Sequence, residues 1–415
     1  MAESPASIGS QTLWRSTLTL LAGGVVAQAL PLLLGPWLTR LYSPDDWGRF
    51  ALFSALASNL AVVACARYEY ALPMATDEDE ACNLMALCFH LLLAVTALSV
   101  LLAIVLTATH TLQHAAWLPL AVAAAGAAQW LTLWATRAQR FKSLSVSRAT
   151  QFGGAALIQA ANGVAHAGAT GLITGPIVAS LAALAWLGHP APAGGWGGLW
   201  RVPLDAMQSV ARKHRSFPLF NTPHTFANAL SDTLTIALLV AGTGEASAGF
   251  WGLCMRYLKA PATLLGGALS QALYPKLVGA EPLAARASVR RAMAVLALVA
   301  LPLVLLLLLG GPALFAFAFG ERWREAGDLA QALAPYIGVH FIASPLAVVT
   351  MAWDAQAWAL RLALIGQAMF LAVLAAGLHF GGLLAGAWAV SGATVLYFGW
   401  YFWSLATWKP EVKHA

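Results

Sequence analysis

The sequence predicts an all-α polytopic membrane protein with about twelve transmembrane helices. Of its 415 residues, 60% are hydrophobic and 10% are charged, whereas a soluble domain carries about 25% charged residues. A helix that crosses a bilayer needs about 20 mainly apolar residues, and such stretches recur along the whole chain. The distribution of basic residues indicates the same fold class.

Twelve stretches are long and apolar enough to be predicted as spans, and several contain the Gly and Pro residues that membrane helices tolerate. They cover residues 17–38, 50–72, 83–107, 115–136, 149–166, 170–187, 217–240, 247–274, 290–318, 328–352, 358–378 and 383–407. The opening sequence, MAESPASIGSQTLWRS, lacks the pattern of a signal peptide. We therefore expect the first apolar run to be a span itself.

The basic residues predict the topology. With the amino terminus in the cytoplasm, 17 Lys and Arg residues fall on the inward side and 4 fall in outward loops. Arg256 and Lys259 lie within a span and complete the total of 23. Because cytoplasmic loops carry the excess of Lys and Arg, we expect both termini to lie in the cytoplasm.

The longest linker, residues 189–216, separates six predicted spans from six others. It divides the chain into an amino-terminal lobe, residues 1–188, and a carboxyl-terminal lobe, residues 217–415. The sequence GHPAPAGGWGG at its start is flexible and rich in turns. Two six-helix lobes are the resulting prediction.

The rest of the linker has the pattern of an interfacial helix. Apolar residues fall near one helical face and basic residues follow them, namely Trp200, Leu204, Met207, Val210, Arg212, Lys213 and Arg215. Such a helix lies on the membrane surface with basic side chains toward anionic lipids. An ordinary basic loop has a similar composition, so both interpretations stay open.

Three charged residues, Asp232, Arg256 and Lys259, lie inside predicted spans. Each costs about 2.5–3.5 kcal/mol at the centre of a lipid-facing helix, so we expect them to pair or to face a polar pathway. Arg256 and Lys259 share a helical face, and two cations there suit a phosphate or pyrophosphate. Asp232 would neutralise them in the empty state or carry a coupling cation. A structural Asp–Arg pair is the alternative.

Two further groups are candidates for ligand contact. Arg67 and Glu69 end the second predicted span, where they would hold an anionic ligand or gate a cavity; the alternative is an anchor at the interface. Asn221, His224 and Asn228 share a helical face and would hydrogen-bond sugar hydroxyls. Polar residues inside spans also serve to bond neighbouring helices together.

Other chemistries are not indicated. No paired metal spacing and no disulfide framework connects the cysteines, which we interpret as small core residues: Cys65, Cys82, Cys88 and Cys254. The chain has no G-x-x-x-x-G-K-[ST] loop for ATP and no cluster of metal ligands. The sequence therefore predicts no cofactor, no metal and no catalytic residue, and its basic excess reflects topology rather than nucleic-acid binding.

Several stretches carry a family resemblance. LTRLYSPDDWGRFAL (38–52) and ARYEYALP (66–73) resemble the opening of bacterial polysaccharide flippases, as do the later runs SFPLFNTPHTFANALSD, GFWGLCMRYLKAPATLLGGALSQALYPKL and LFAFAFGERWREAGDLAQALAPYIGVHFIASPL. These flippases are the O-antigen-type (Wzx-like) members of the multidrug/oligosaccharidyl-lipid/polysaccharide exporter superfamily. The resemblance covers most of the chain and is weaker at the carboxyl end.

The resemblance implies two six-helix lobes around a central cavity in the bacterial inner membrane. The implied substrate is an undecaprenyl-pyrophosphate-linked oligosaccharide, an O-antigen, capsule or exopolysaccharide unit, moved from the cytoplasmic to the periplasmic leaflet. Arg67 and Arg256 match the basic positions that would receive its pyrophosphate, and Lys259 is added from its spacing. Asp232 or Glu69 would couple transport to an ion gradient. A monomeric transport unit, with a polysaccharide polymerase and chain-length proteins as partners, is also implied.

Two other functions stay open. An exporter of small molecules or drugs from the same superfamily would need an acidic cavity, but the predicted spans hold more basic than acidic groups. A membrane polysaccharide polymerase would need a large periplasmic loop, and the predicted outward loops are all short.

Overall fold

The computed structural model describes residues 29–192, 195–278 and 280–408. Within these ranges nearly all residues are helical, and no β-strand occurs. Residues 17–28 of the first predicted span and both predicted cytoplasmic termini lie outside the described residues.

The α-helices are numbered in chain order within the described ranges. They are α1 (29–41), α2 (Pro44–Val62), α3 (Glu78–Ala108), α4 (Leu118–Arg137), α5 (Phe141–Arg148), α6 (Gly154–Val164), α7 (Gly168–Leu187), α8 (Gly195–Gly198), α9 (Leu204–Lys213), α10 (Thr222–Thr243), α11 (Glu245–Leu258), α12 (Ala260–Leu277), α13 (Pro282–Phe319), α14 (Arg324–Ala352) and α15 (Gln356–Thr407). Short 3₁₀ or π turns occur at Tyr68–Met74, Ala115–Trp117, Ala149–Gly153, Leu199–Arg201, Phe217–Asn221 and Glu321–Trp323.

Helix α2 begins and ends earlier than the predicted span 50–72. Ser43 and Asp46 form a capping box at its start, in which the Ser43 hydroxyl accepts the Asp46 N–H at 3.2 Å and an Asp46 carboxylate oxygen accepts the Ser43 N–H at 3.1 Å. This exchange satisfies backbone donors that a helix start leaves open. The helix ends at Val62, so Arg67 and Glu69 lie beyond it rather than at its end.

Two later breaks divide apolar runs. Helix α11 ends at Leu258 and α12 starts at Ala260, so the predicted span 247–274 is two helices that meet at Lys259. Pro261, which lacks a backbone N–H, is in the first turn of α12. Within α15, Gly382 has φ 72° and ψ −162°, a conformation that glycine adopts readily. This kink separates the last two predicted spans.

Seven described helical segments are long and apolar enough to cross a membrane by length and composition. Fewer segments than predicted spans meet this criterion for four reasons. Helix α15 contains two spans, and the spans at 149–166 and 247–274 are divided. Most of the span 17–38 lies outside the described residues, and α2, in place of the span 50–72, does not meet the criterion. Wherever the structure describes it, each predicted span falls mainly on helix.

The chain divides into two compact units, the first reaching Thr233 and the second beginning at Leu234. The core of the first unit includes Leu84 and Met85 of α3, and the linker residues Leu199, Met207 and Val210 are buried in the same core. The predicted linker therefore belongs to the first unit and is anchored to its core by these buried residues. The division into two transport lobes at residues 189–216 stays a prediction.

In the second unit, α14 packs against α11, α12, α13 and α15. Its buried core includes Val289 and Leu296 of α13 and Leu346 and Val349 of α14. Small residues allow the closest approach: a Cβ atom added at Gly327 of α14 would lie 2.4 Å from the Pro312 Cα of α13. The α13–α14 contact therefore depends on the absence of a side chain at Gly327.

We expect Gly327→Ala to destabilise the second unit by about 1–3 kcal/mol, the usual cost of overpacking, because the methyl group would meet backbone atoms. The measurement is chemical unfolding in a fixed detergent. Gly310→Ala is the matched control, since no atom lies within 4 Å of an added Cβ there. Equal unfolding midpoints for the two variants would contradict the proposed close contact.

Candidate functional site

The candidate site in the first unit begins with a left-handed turn after α2. Ala66 and Arg67 have φ values of 47° and 64°, which cost about 1–2 kcal/mol per non-glycine residue. The Ala66 N–H donates to the Val63 carbonyl at 2.8 Å and the Tyr68 N–H to the Cys65 carbonyl at 3.0 Å. The turn ends α2 and starts the 3₁₀ helix that carries Glu69.

Glu69 is a buried carboxylate with polar neighbours on one side. Its side chain is 1% exposed, and its Oε1 accepts a hydrogen bond from Gln129 Nε2 at 2.6 Å. An Arg67 guanidinium nitrogen lies 3.8 Å from the same oxygen. The Oε2 atom has no hydrogen-bond partner among the described residues. A buried polar atom left without a partner is costly, so this oxygen is a candidate position for a proton or a bound cation.

Arg67 reaches from this turn to the first turn of α10. One guanidinium nitrogen donates to Thr225 Oγ1 at 3.0 Å and another to the Tyr70 hydroxyl at 3.3 Å. Its guanidinium carbon lies 4.7 Å from the centre of the Tyr70 ring. Thr225 in turn donates to the Asn221 carbonyl at 2.8 Å. A guanidinium has five N–H donors, so these contacts leave donors for an anionic ligand.

Two more contacts hold the segment that leads into α10. The Tyr68 hydroxyl donates to the Ala211 carbonyl of α9 at 3.2 Å. Glu80 Oε1 in the first turn of α3 lies 2.6 Å from Lys213 Nζ and 2.8 Å from His214 Nε2. Together with the Arg67–Thr225 bond, these interactions attach the chain between α9 and α10 to the turn after α2 and to the start of α3.

A second candidate site lies at the junction of α11 and α12. Arg256 is partly buried in the last turn of α11, and Lys259 is the residue between the two helices. Lys259 Nζ lies 5.6 Å from the centre of the Tyr336 ring of α14, a cation–π distance. The Tyr336 ring is 5.7 Å from the ring of His340, one turn further along α14. Within the described residues, this ring is the partner of the Lys259 ammonium.

The structure brings some of the predicted residues together. Arg67 and Glu69 are neighbours, and Arg67 contacts the α10 turn that holds the glycan candidates Asn221 and His224. Of these, Asn221 and His224 are exposed and Asn228 is partly buried.

Arg256 and Lys259 lie together in the second unit. Asp232, an exposed residue of α10, belongs to the first unit. The predicted pairing of Asp232 with Arg256 and Lys259 therefore stays a prediction.

The neutral partners of the cations, namely Tyr70, Thr225 and Tyr336, were not predicted from the sequence. Tyr70 is three residues after Arg67, and Tyr336 is four before His340; these spacings were the available signals. Thr225 is 158 residues from Arg67 and had no local signal. Among the described residues, no group of three His, Cys, Asp or Glu side chains is placed to hold a metal ion.

We expect Arg67→Ala and Glu69→Gln to show non-additive effects on unfolding free energy, with a coupling of about 0.5–3 kcal/mol. Arg67→Ala alone leaves a buried carboxylate without its neighbouring cation. The double variant has no such unpaired charge, because the Glu69 carboxylate is replaced by a neutral amide. Unfolding of the four forms in one detergent measures the coupling. Arg148→Ala, at an exposed position, controls for loss of one positive charge. Additive effects would show that the pair contributes no net stability.

A family model described as polysaccharide biosynthesis protein matches residues 37–328, most of the chain. No sequence match to a curated protein was found. Solved structures with a similar fold include a lipid II flippase MurJ in an inward closed conformation, with a TM-score of 0.64 and 11% identity over 93% of this chain and 90% of that chain.

Two MATE transporter structures also match. One is a multidrug resistance MATE family transporter of the MOP superfamily in an inward-facing conformation, with a TM-score of 0.58 and 12% identity over 91% of this chain and 95% of that chain. The other is a point mutant of the Vibrio cholerae MATE transporter VcmN, with a TM-score of 0.50 and 16% identity over 96% of both chains. The predicted fold class, an all-α polytopic membrane protein of about twelve transmembrane helices, is confirmed.

Proposed function

We propose that the chain is a flippase. It belongs to the polysaccharide biosynthesis protein family, and its fold is similar to that of a transporter of the MOP superfamily. Its substrate would be an undecaprenyl-pyrophosphate-linked oligosaccharide, an O-antigen, capsule or exopolysaccharide unit, moved from the cytoplasmic to the periplasmic leaflet of the bacterial inner membrane. Both termini would be cytoplasmic. The chain would act without enzymatic chemistry, as a monomeric transport unit that supplies a polysaccharide polymerase and chain-length proteins.

The observation that carries this proposal is the presence of cations inside apolar helical units, held by neutral partners. The Arg67 guanidinium bonds to the hydroxyls of Thr225 and Tyr70, and the Lys259 ammonium lies over the ring of Tyr336. The Tyr336 ring leaves the charge of Lys259 available to an anion. The Glu69 carboxylate, 3.8 Å from Arg67, offsets part of the charge of that guanidinium. A pyrophosphate supplies several acceptor oxygens, and charge-assisted bonds to it are stronger than those to a hydroxyl.

We propose that the pyrophosphate displaces Thr225 from Arg67 of the first unit, and that Arg256 and Lys259 of the second unit are the other cationic positions that bind it during transport. Asn221, His224 and Asn228 would then meet the glycan while the lipid tail stays in the bilayer. Because Thr225 is in the first turn of α10, its release would free the start of that helix. Movement of the two lobes would next open the site to the periplasm.

Glu69 or Asp232 would couple this cycle to an ion gradient. Glu69 is the better candidate because it is buried and its Oε2 atom has no partner among the described residues. A proton or a cation at that oxygen would change the charge beside Arg67. Its arrival would therefore alter the affinity of Arg67 for an anion.

A small-molecule exporter is the second candidate, because the fold is shared with a multidrug resistance transporter. The acidic groups Glu69 and Asp232 would then bind a cationic substrate directly. A membrane polysaccharide polymerase is less well supported, since the family and the similar solved structures indicate transport.

We expect Arg256→Ala and Lys259→Ala each to weaken substrate binding by about 1.5–3 kcal/mol, the value of one charge-assisted hydrogen bond. This corresponds to roughly a 10- to 150-fold loss of apparent affinity. The measurement is the leaflet position of the lipid-linked oligosaccharide in cells that lack this protein and are complemented with each variant. Arg148→Ala is the matched control, and membrane insertion of every variant is measured in parallel.

The outcomes separate the candidate functions. Accumulation in the cytoplasmic leaflet, relieved by the native chain and not by Arg256→Ala, supports the flippase. Unpolymerised glycan in the periplasmic leaflet of the deletion cells would instead support a polymerase. Normal surface glycan in those cells, with increased sensitivity to cationic drugs, would support the small-molecule exporter. Full transport by both Arg256→Ala and Lys259→Ala would refute the cationic site.

A further inference from the structure

Residues 195–216, here called the amphipathic segment, present large apolar side chains that stay exposed, although the rings of Trp196 and Trp200 contact Trp130 of α4 and Phe89 of α3. Trp196, Trp200 and Leu204 are 39%, 62% and 72% exposed. Met207 and Val210 of the same segment are buried in the core of the first unit. The later apolar residues of the predicted face therefore fix the segment to protein, while the earlier ones leave exposed aromatic and aliphatic groups of the kind found at membrane interfaces.

Contacts with α3 show how the segment is inclined. At its start, the Trp200 ring lies 4.8 Å from the Phe89 ring. At its end, Lys213 Nζ lies 2.6 Å from Glu80 Oε1. Glu80 and Phe89 are nine residues apart on α3, which is about 14 Å along a helix axis. Glu80 precedes the predicted span 83–107 and Phe89 is within it, so we expect the aromatic end to lie deeper in the membrane than the basic end.

The basic residues of the amphipathic segment have few acidic neighbours. Arg201, Arg212 and Arg215 are exposed, and none forms an ion pair with a described residue. Lys213 is paired with Glu80, and Asp205 is the single acidic residue in the segment. The segment thus carries both exposed tryptophans and three exposed guanidinium groups. Together they complement a membrane surface, in which the acyl chains are apolar and the headgroups are anionic.

We propose that the amphipathic segment binds anionic phospholipids of the cytoplasmic leaflet. Trp196, Trp200 and Leu204 lie among the acyl chains, and the guanidinium groups of Arg201 and Arg212 bind the headgroup phosphates, with Arg215 beside them. This lipid binding keeps the amphipathic segment at the membrane surface, while the Glu80 contacts attach the same segment to α3. It is independent of the proposed transport of a lipid-linked oligosaccharide, because it needs only insertion in a bilayer.

The test places a fluorophore on Leu204→Cys in the full chain, reconstituted in nanodiscs. Phosphatidylglycerol and phosphatidylcholine with brominated acyl chains are compared as quenchers. The parent chain is labelled in parallel to measure background from the native cysteines, three of which are buried. We expect phosphatidylglycerol to quench at a much lower mole fraction, and added salt to reduce this preference.

The triple variant Arg201→Gln/Arg212→Gln/Arg215→Gln should lose the preference for phosphatidylglycerol, on the order of a hundredfold for three basic side chains near an anionic surface. The matched control is Arg148→Gln/Arg291→Gln/Arg361→Gln, which removes the same charge from exposed positions elsewhere and should keep the preference.

Four outcomes would overturn the proposal. Equal quenching by the two lipids would mean that the headgroup charge is not recognised, and absence of quenching by either would mean that Leu204 does not contact acyl chains. An equal loss in the control variant would assign the effect to overall charge. Displacement of phosphatidylglycerol by inorganic pyrophosphate would assign the three arginines to the transport substrate instead.

Discussion

The burial of one carboxylate constrains much of the first unit. Glu69 is 1% exposed, and an ionised group in an apolar interior requires compensation by hydrogen bonds or a nearby cation. Gln129 supplies the hydrogen bond, and Arg67 supplies the charge at 3.8 Å. To place Arg67 there, the chain adopts two consecutive left-handed residues and ends α2 at Val62. The left-handed turn that ends α2 thus places the Arg67 guanidinium beside the buried carboxylate.

The same turn determines where the following part of the chain is attached. Arg67 bonds to Thr225, Tyr68 bonds to the carbonyl of Ala211, and Glu80 binds Lys213. A segment that is flexible and basic by composition becomes part of the first unit through these contacts. Helix α10 starts at the end of this attached segment and contains the boundary between the two compact units. In the proposed transport cycle, a ligand that competes for Arg67 therefore acts directly on the helix that leads into the second unit.

Local composition predicted most of the helices but not where they break. Hydropathy located the apolar runs because each residue contributes to it independently of its partners. The end of α2 and the break at Lys259 depend instead on backbone conformation and on side chains that are distant in sequence. The sequence identified Arg256 and Lys259 as costly charges and Arg67 and Glu69 as candidates for ligand contact, but it did not identify Thr225 or Tyr336 as partners of the cations. Membrane burial makes charges conspicuous in a sequence, whereas neutral partners resemble ordinary helix-forming residues.

The choice of neutral partners bears on the sign of the ligand. A lysine or arginine paired closely with a carboxylate presents little net charge, and an anion must first break that pair. Lys259 lies over an aromatic ring, and Arg67 makes its direct hydrogen bonds to hydroxyls, with the Glu69 carboxylate more distant at 3.8 Å and itself bonded to Gln129. Hydroxyl and ring contacts position a cation without cancelling its charge. In the proposed function, this arrangement is the physical reason to expect an anionic, pyrophosphate-linked substrate rather than a cationic drug.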